Sequence, residues 1–467
     1  MAFTSELTQI PPDMESRRRR SSAVMDGQSH QIYQDNAIYT NYSTHWQLSS
    51  EKIGTPTDLD PLIPQVVCCG NAKEAARLLR ANVGKPKFPY GDVLVGDGVL
   101  GQTDPAEWRK QRECLRPAFR APVVSQLMQL MHEHTVRHIT DEIDIATLRN
   151  AEVDIHHLLM VSSFGLIGRV VLGQETKWMN TNGERLRSAF ASGLQPLYKD
   201  TPEGQAAQSV MTEFAEHAWE AGRRRREGDP LAPPTVVDRL MKSDTSAQKR
   251  QDELMTIMFA GHETTANTLS WCMYELSNHQ RAQQRVRADI WRIMHQSGRR
   301  SASELTLQDL GKATLLTAAI RECMRLWPVV ANGAFRVISE NSASAHVENC
   351  DTPLPAGTPF QVPHWTFHRD PHIWGANADK FDLDRYKSAW NHDAFMPFSK
   401  PPRDCIGRHF AMASMRVTLA HLLLRYTFTP LSGGGMEPPK RGTNWATLQP
   451  EGGVVLRIAH AKNPSKL

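Results

Sequence analysis

Cys405 stands alone in the stretch Phe398-Ser-Lys-Pro-Pro-Arg403-Asp-Cys405-Ile-Gly407, with an arginine two residues before it and a glycine two residues after it. From Arg408 to Tyr426, Phe410, Met415, Leu419, Leu422 and Leu423 recur at helical spacing, so the cysteine lies just ahead of a helix N-terminus. Unpaired backbone N–H groups at such a place lower a thiol pKa and hold a thiolate. A held thiolate serves as a nucleophile or as a metal ligand. The plain alternative is an inert cysteine packed as a small hydrophobe.

A second stretch reads Phe259-Ala-Gly-His-Glu-Thr-Thr-Ala-Asn267. Ala260, Glu263, Thr264 and Asn267 fall at i, i+3, i+4 and i+7, which groups a small residue, an acid and an alcohol on one helix face. An acid and a hydroxyl in mid-helix are costly if buried without purpose. In sequence they can pass protons inward from water; otherwise the face is simply solvated. Glu322-Cys-Met-Arg325 sets acid and base at i and i+3, an ordinary surface pair worth a few tenths of a kcal/mol unless it is buried. Leu315, Leu316, Ile320 and Leu326 beside it point to partial burial. His364, His368 and His372 are spaced by four, but Pro363 and Pro371 forbid one continuous helix through all three. That argues against a zinc site there.

The elements that must position these groups are mostly helices. Strand signals begin at Pro64-Gln-Val-Val-Cys-Cys. Asn71-Ala-Lys-Glu74 resembles a capping box that opens a helix through Arg80. Tyr90 to Gln102 is a glycine-rich loop, and Asp104-Pro105 starts a helix carrying Trp108 and Arg112 one turn apart. Helical patterns fill 122–225, broken at Gly228 to Pro234. One long helix is expected over Gln251 to Asn278 and another over Leu307 to Trp327, stopped by Pro328. Val329 to Val362 is strand-like. The region after Thr427 is rich in Gly and Pro before a last strand over Gly453 to Ile458. The expected class is mainly α with a small β region.

The chain has 467 residues, 54 basic and 50 acidic, for a net charge of +4, which gives no ground for a nucleic-acid partner. Its seven cysteines show no C-x-x-C pair, against a disulfide framework and for a reducing compartment. No run of about 18 apolar residues is evident, so no membrane-spanning helix is expected. The expected location is cytoplasmic or peripheral to a membrane. Residues 1–30 read as a disordered basic tail with Arg17-Arg18-Arg19-Arg20, able to make a weak contact with anionic lipid. Residues 31–467 then form one domain.

Phe398, Arg403, Cys405, Gly407, Phe410 and Ala411 together resemble the haem-ligand loop of the cytochrome P450 family. The resemblance extends over about residues 31–467, with five motifs in family order. It implies the mostly helical cytochrome P450 fold, haem b, and Cys405 as the thiolate on its iron. It makes Glu263 and Thr264 the proton-delivering acid and alcohol, with Ala260 and Gly261 leaving room for haem and O2. It pairs Glu322 and Arg325 with Arg385, from Phe381-Asp-Leu-Asp-Arg385, in a structural triad; Leu383-Asp384 departs from the usual proline-glutamate. Trp108, Arg112, Arg336 and Arg403 match the family's propionate contacts, with His409 a weaker candidate. Pro401 replaces the family's glycine, and the expectation is a loop re-formed around an extended proline.

The activity so implied is monooxygenation of a hydrophobic small molecule, by eye of the fatty-acid or isoprenoid kind. Electrons would come from NAD(P)H through a separate flavoprotein reductase or a ferredoxin. Lys400, Arg403 and Arg408 would offer an acidic partner a docking surface. Two alternatives stand beside it: a haem-thiolate isomerase or dehydratase of peroxides, and an inactive haem-binding paralogue. Oxygen uptake coupled to a pyridine nucleotide separates the first reading from both.

Overall fold

A computed structural model describes residues 67–68, 72–86, 96–149, 151–173, 177–193, 201–228, 234–243, 245–340, 355–387, 390–431, 441–443 and 447–461. The expected tail 1–30, the Asn71 cap and residues 90–95 of the glycine-rich stretch from Tyr90 lie outside these residues.

Helices dominate. In chain order the elements that matter here are β1 (Val67–Cys68), α1 (Ala72–Ala81), α2 (Pro105–Leu115), β2 (Val153–Asp154), α3 (Ile155–Leu172), α4 (Lys177–Gly193), α5 (Pro202–Gly228), α6 (Ala247–Asn278) and α7 (Gln280–Gln296). There follow α8 (Leu307–Lys312), α9 (Thr314–Leu326), β3 (Ala334–Val337), β4 (Pro359–Val362), α10 (His364–Arg369), α11 (Pro371–Trp374) and α12 (Arg408–Arg425). The chain closes with β5 (Tyr426–Pro430), β6 (Arg441–Thr443), β7 (Leu448–Pro450) and β8 (Val455–His460).

Local chemistry sets several boundaries. Asp104 caps α2 by accepting from the N–H groups of Ala106 and Glu107 at 2.8 and 2.7 Å, with Pro105 in the first turn. Ser246 caps α6, four residues earlier than the apolar pattern suggests. The helix expected over 307–327 is two helices: a capping box of Thr306 and Asp309 opens α8, and the chain breaks at buried Ala313, where ψ is 87°. Tyr426 starts a strand instead of ending α12, and β5 pairs antiparallel with β8 over Tyr426↔His460 to Pro430↔Leu456. The strand was hidden because its partner lies some thirty residues on.

β1, β4 and β3 form one sheet, with β1 parallel to β4 and β3 antiparallel to it, so that Arg336 sits opposite Phe360. α1 covers this sheet, with Ala75, Leu78 and Leu79 against Phe360 and Val362. The larger core is built around α6, buried over most of its length from Glu253 to Ser277. Gly261 lets α3 approach: a Cβ there would stand 2.6 Å from Cγ1 of Ile167. Its missing side chain thus serves helix packing, and Gly261 also lines the cavity described below, where the sequence reading expects room for haem and O2. α3 corrects the reading that no stretch is apolar enough to span a bilayer, since by length and composition it is. Its apolar residues, among them Leu159, Phe164, Ile167 and Val171, are buried in the core, which accounts for its composition.

Candidate functional site

A cavity of about 410 Å³ opens between α6, α12, β3 and the loop before Cys405. Trp108, Arg112, Ala260, Thr264 and Arg336 line it, as do Phe398, Arg403, Cys405 and Gly407. Residues separated by up to three hundred positions therefore meet in one place.

The cysteine loop is closed by its own backbone, the Cys405 N–H donating to the Phe398 carbonyl at 2.9 Å. Arg112 holds it from outside, donating to the Asp404 carbonyl at 2.8 Å and to its carboxylate at 2.6 Å. The left-handed residue of the loop is Ser399, with φ 58°, not Pro401. The thiol opens onto the cavity while protein surrounds it elsewhere. That burial raises its pKa; the Gly407 N–H, Arg112 and Arg408 pull the other way and do not prevail. The expected lowering by the helix end is thus overturned in the protein alone, because desolvation outweighs a few partial charges. Gly407 has φ −84°, which any residue adopts; a Cβ there would lie 3.9 Å from Sγ, in ordinary contact with the thiol.

Three cations crowd the same cavity. Arg336 is 4% exposed, donates to its neighbour Phe335's carbonyl at 2.7 Å, and leaves Nε without a partner. Arg403 donates to the Gln102 carbonyl at 2.8 Å, lies 4.5 Å from the Trp108 ring centre, and likewise leaves Nε unpartnered. Lys85 donates to the Leu100 carbonyl at 2.7 Å. None of the three has a carboxylate partner among the described residues. Burial, then mutual repulsion, pushes Lys85 down to about 7 and Arg403 to about 9; burial alone takes Arg336 to about 10. A ligand with two carboxylates would relieve both costs, and haem's two propionates fit this wall with Cys405 beside it. Arg112 borders the cavity but is committed to Asp404. His409 is exposed and does not line the cavity.

On α6, Thr264 faces the cavity and donates to the Ala260 carbonyl at 2.8 Å. Glu263 is buried beside the cavity without lining it. It accepts from the Thr447 hydroxyl at 2.8 Å, and that oxygen accepts from Asn267 Nδ2 at 3.2 Å. Thr447 does line the cavity.

Farther off, Glu322 accepts from Arg325 at 2.8 and 2.9 Å, from Arg385 Nε at 3.0 Å and from the Asp382 N–H at 3.1 Å. Arg325 also donates to the carbonyls of His368 and Ala378, and Arg385 to those of Trp374 and Asn377. Burial here is full, not partial: Glu322 and Arg325 are 1% and 0% exposed. Asp384, where the family has glutamate, pairs with exposed Arg285 instead. The three histidines do not converge. His368 is locked between Met324 and Met396 and His372 is exposed, and no group of three metal-binding side chains occurs among the described residues.

Two cavity residues escape sequence reasoning. Lys85 follows a glycine after α1 and belongs to no periodic face; Thr447 lies in the Gly- and Pro-rich region ahead of β7. Neither carries a local signal.

A family model described as cytochrome P450 matches residues 78–457. Similar proteins include cytochrome P450 714C3 of Oryza sativa subsp. japonica, 27% identical over 417 residues covering 83% of this chain and 77% of that one. Rat cytochrome P450 4F4 is 26% identical, covering 87% and 82%, and Protein LUTEIN DEFICIENT 5, chloroplastic, of Arabidopsis thaliana is 24% identical, covering 87% and 70%. With a matching model over most of its length and a mostly helical architecture carrying a small β region, the chain belongs to the cytochrome P450 family, whose members are monooxygenases using haem with a cysteine thiolate on the iron.

Proposed function

We propose that this chain inserts one atom of O2 into a hydrophobic small molecule of the fatty-acid or isoprenoid kind. NAD(P)H supplies the electrons through a separate flavoprotein reductase or a ferredoxin. The observation that carries the reading is that Cys405, Thr264 and an apolar wall of Val99, Leu100, Phe119, Ile167, Ile257 and Phe259 share one cavity. Haem, when bound, supplies the iron chemistry that activates dioxygen.

The chain's own residues do the rest. Cys405 would hold the iron, with Phe398 and Gly407 lining the cavity beside its sulfur. Trp108, Arg112, Arg336, Arg403 and Lys85 hold the propionates or the elements that carry them. Ala260 keeps the α6 wall low. Glu263 accepts from the Thr447 hydroxyl at Oε2, and a proton taken up by that carboxylate leaves as this hydrogen bond reverses, through Thr447 toward the cavity, where the Thr264 hydroxyl stands. The Glu322–Arg325–Arg385 triad ties α9 to the segment leading into the cysteine loop. Exposed Arg408 and partly exposed Lys400 flank that loop and suit an acidic electron donor; Arg403 turns inward and drops out of that surface. The enzyme works in the cytoplasm or peripherally at a membrane.

The test is spectroscopic. Reduced protein under carbon monoxide is expected to show the strongly red-shifted Soret band of thiolate ligation, and Cys405→Ser to abolish it. Retention of that band in Cys405→Ser would sink the assignment. Haem spin-state change across a panel of fatty acids and isoprenoids then identifies the substrate class.

A further inference from the structure

We infer that His364 donates a hydrogen bond to a haem propionate, completing with Arg336 a pocket for one carboxylate. The inference rests on the haem reading above. His364 lines the cavity and is 3% exposed, yet neither Nδ1 nor Nε2 has a hydrogen-bond partner. A neutral imidazole carries one donor and one acceptor, and burying both unsatisfied is costly. The Val330 carbonyl lies near the ring, but outside hydrogen-bond geometry, and it already accepts from the Gly333 N–H at 2.9 Å.

The ring cannot turn to relieve this. It stacks on His368 with centres 5.8 Å apart and planes within 9°. His368 is itself fixed, its Nε2 accepting from the Met396 N–H at 3.0 Å. On another side Gly333 approaches so closely that a Cβ there would meet His364 Cδ2 at 2.9 Å and its N at 2.8 Å. Burial first, then the charges of Arg336 and Lys400, keeps the ring uncharged. A neutral donor beside an arginine whose Nε is also unpartnered is complementary to a carboxylate. Two carboxylates could reach this wall, a haem propionate or that of an acidic substrate. The proposal commits to the propionate, because Arg336, which acts on the ring, sits where the family resemblance puts a propionate contact.

His364→Phe and His364→Gln holoproteins test it, with His364→Leu in reserve should the Phe variant not fold. The reduced carbon-monoxide spectrum comes first: a thiolate band in wild type and variants keeps the Cys405 reading intact whatever follows. Haem transfer to excess apomyoglobin is expected to be about tenfold faster in His364→Phe and near the wild-type rate in His364→Gln, which retains a donor. The propionate bending band in the resonance Raman spectrum is expected to shift in the Phe variant. Wild-type haem loss with an unmoved propionate band in a folded Phe or Leu variant would overturn the proposal. So would equal acceleration in both variants, or an effect confined to binding of carboxylate substrates.

Discussion

Two clusters in this protein use buried and half-buried cations to opposite ends. Around Glu322, two arginines share one carboxylate, and their remaining N–H groups reach backbone carbonyls. Around Cys405, Lys85, Arg336 and Arg403 are brought together with no carboxylate among the described residues and with two Nε atoms unpartnered. The first cluster is complete within the chain. The second is complete only with an anionic guest. The contrast separates a device for holding the fold from a site for holding a ligand, and it can be drawn without reference to any relative. Buried arginine in itself signals neither role; the presence or absence of its counter-charge does.

The comparison breaks most visibly if one partner of the closed cluster is removed. Glu322→Ala leaves two buried guanidinium groups facing each other and is expected to destabilise the protein by about 3–5 kcal/mol, a large share of a marginal fold. Poor expression and low haem content should result. A stable holoprotein with normal haem would show that the triad does not hold the scaffold.

The open cluster should respond with the opposite sign. Arg336→Gln removes an uncompensated buried charge, so the haem-free protein is expected to melt at or above the wild-type temperature. The holoprotein should lose haem about tenfold faster, since a charge-assisted hydrogen bond is gone. A lower melting temperature of the haem-free variant would place Arg336 with the structural arginines.

Glu253 sharpens the comparison as its mirror image, a buried carboxyl lacking a cation. It is 2% exposed, accepts the Val99 N–H at 3.0 Å and leaves Oε1 unpartnered. Burial first, then Asp252, pushes its pKa up to about 7 from an ordinary 4.5. Between those values the folded protein keeps a proton that the unfolded chain has released. Stability therefore falls as pH rises through the window, and the deficit is complete above about pH 7. Glu253→Gln is expected to raise stability by about 1–3 kcal/mol at pH 8 and by little at pH 4. An equal effect at both pH values, measured by thermal melts, would show that folding does not raise the Glu253 pKa.

Much of this protein was determined by its sequence read locally. Ala260 and Thr264 share a helix face, Glu322 and Arg325 pair at i and i+3, and Asp104 caps α2, because helical periodicity and capping act over fewer than eight residues. The order of motifs around Cys405 was enough to point to the family. What the tertiary structure alone decided concerns partners far apart in the chain. Arg112 meets Asp404 across 292 residues, Glu263 meets Thr447 across 184, and Lys85 arrives beside Arg336 because the Gly84 carbonyl accepts from the Val337 N–H. β5 exists only because β8 returns to pair with it, and Gly261 is small on account of Ile167 in another helix. The raised Cys405 pKa has the same origin, since desolvation is a property of the whole enclosure. Short-range pattern chooses elements and places groups on their faces. Which buried charges find a counter-charge, and which wait for a ligand to supply one, is settled by how those faces are packed together.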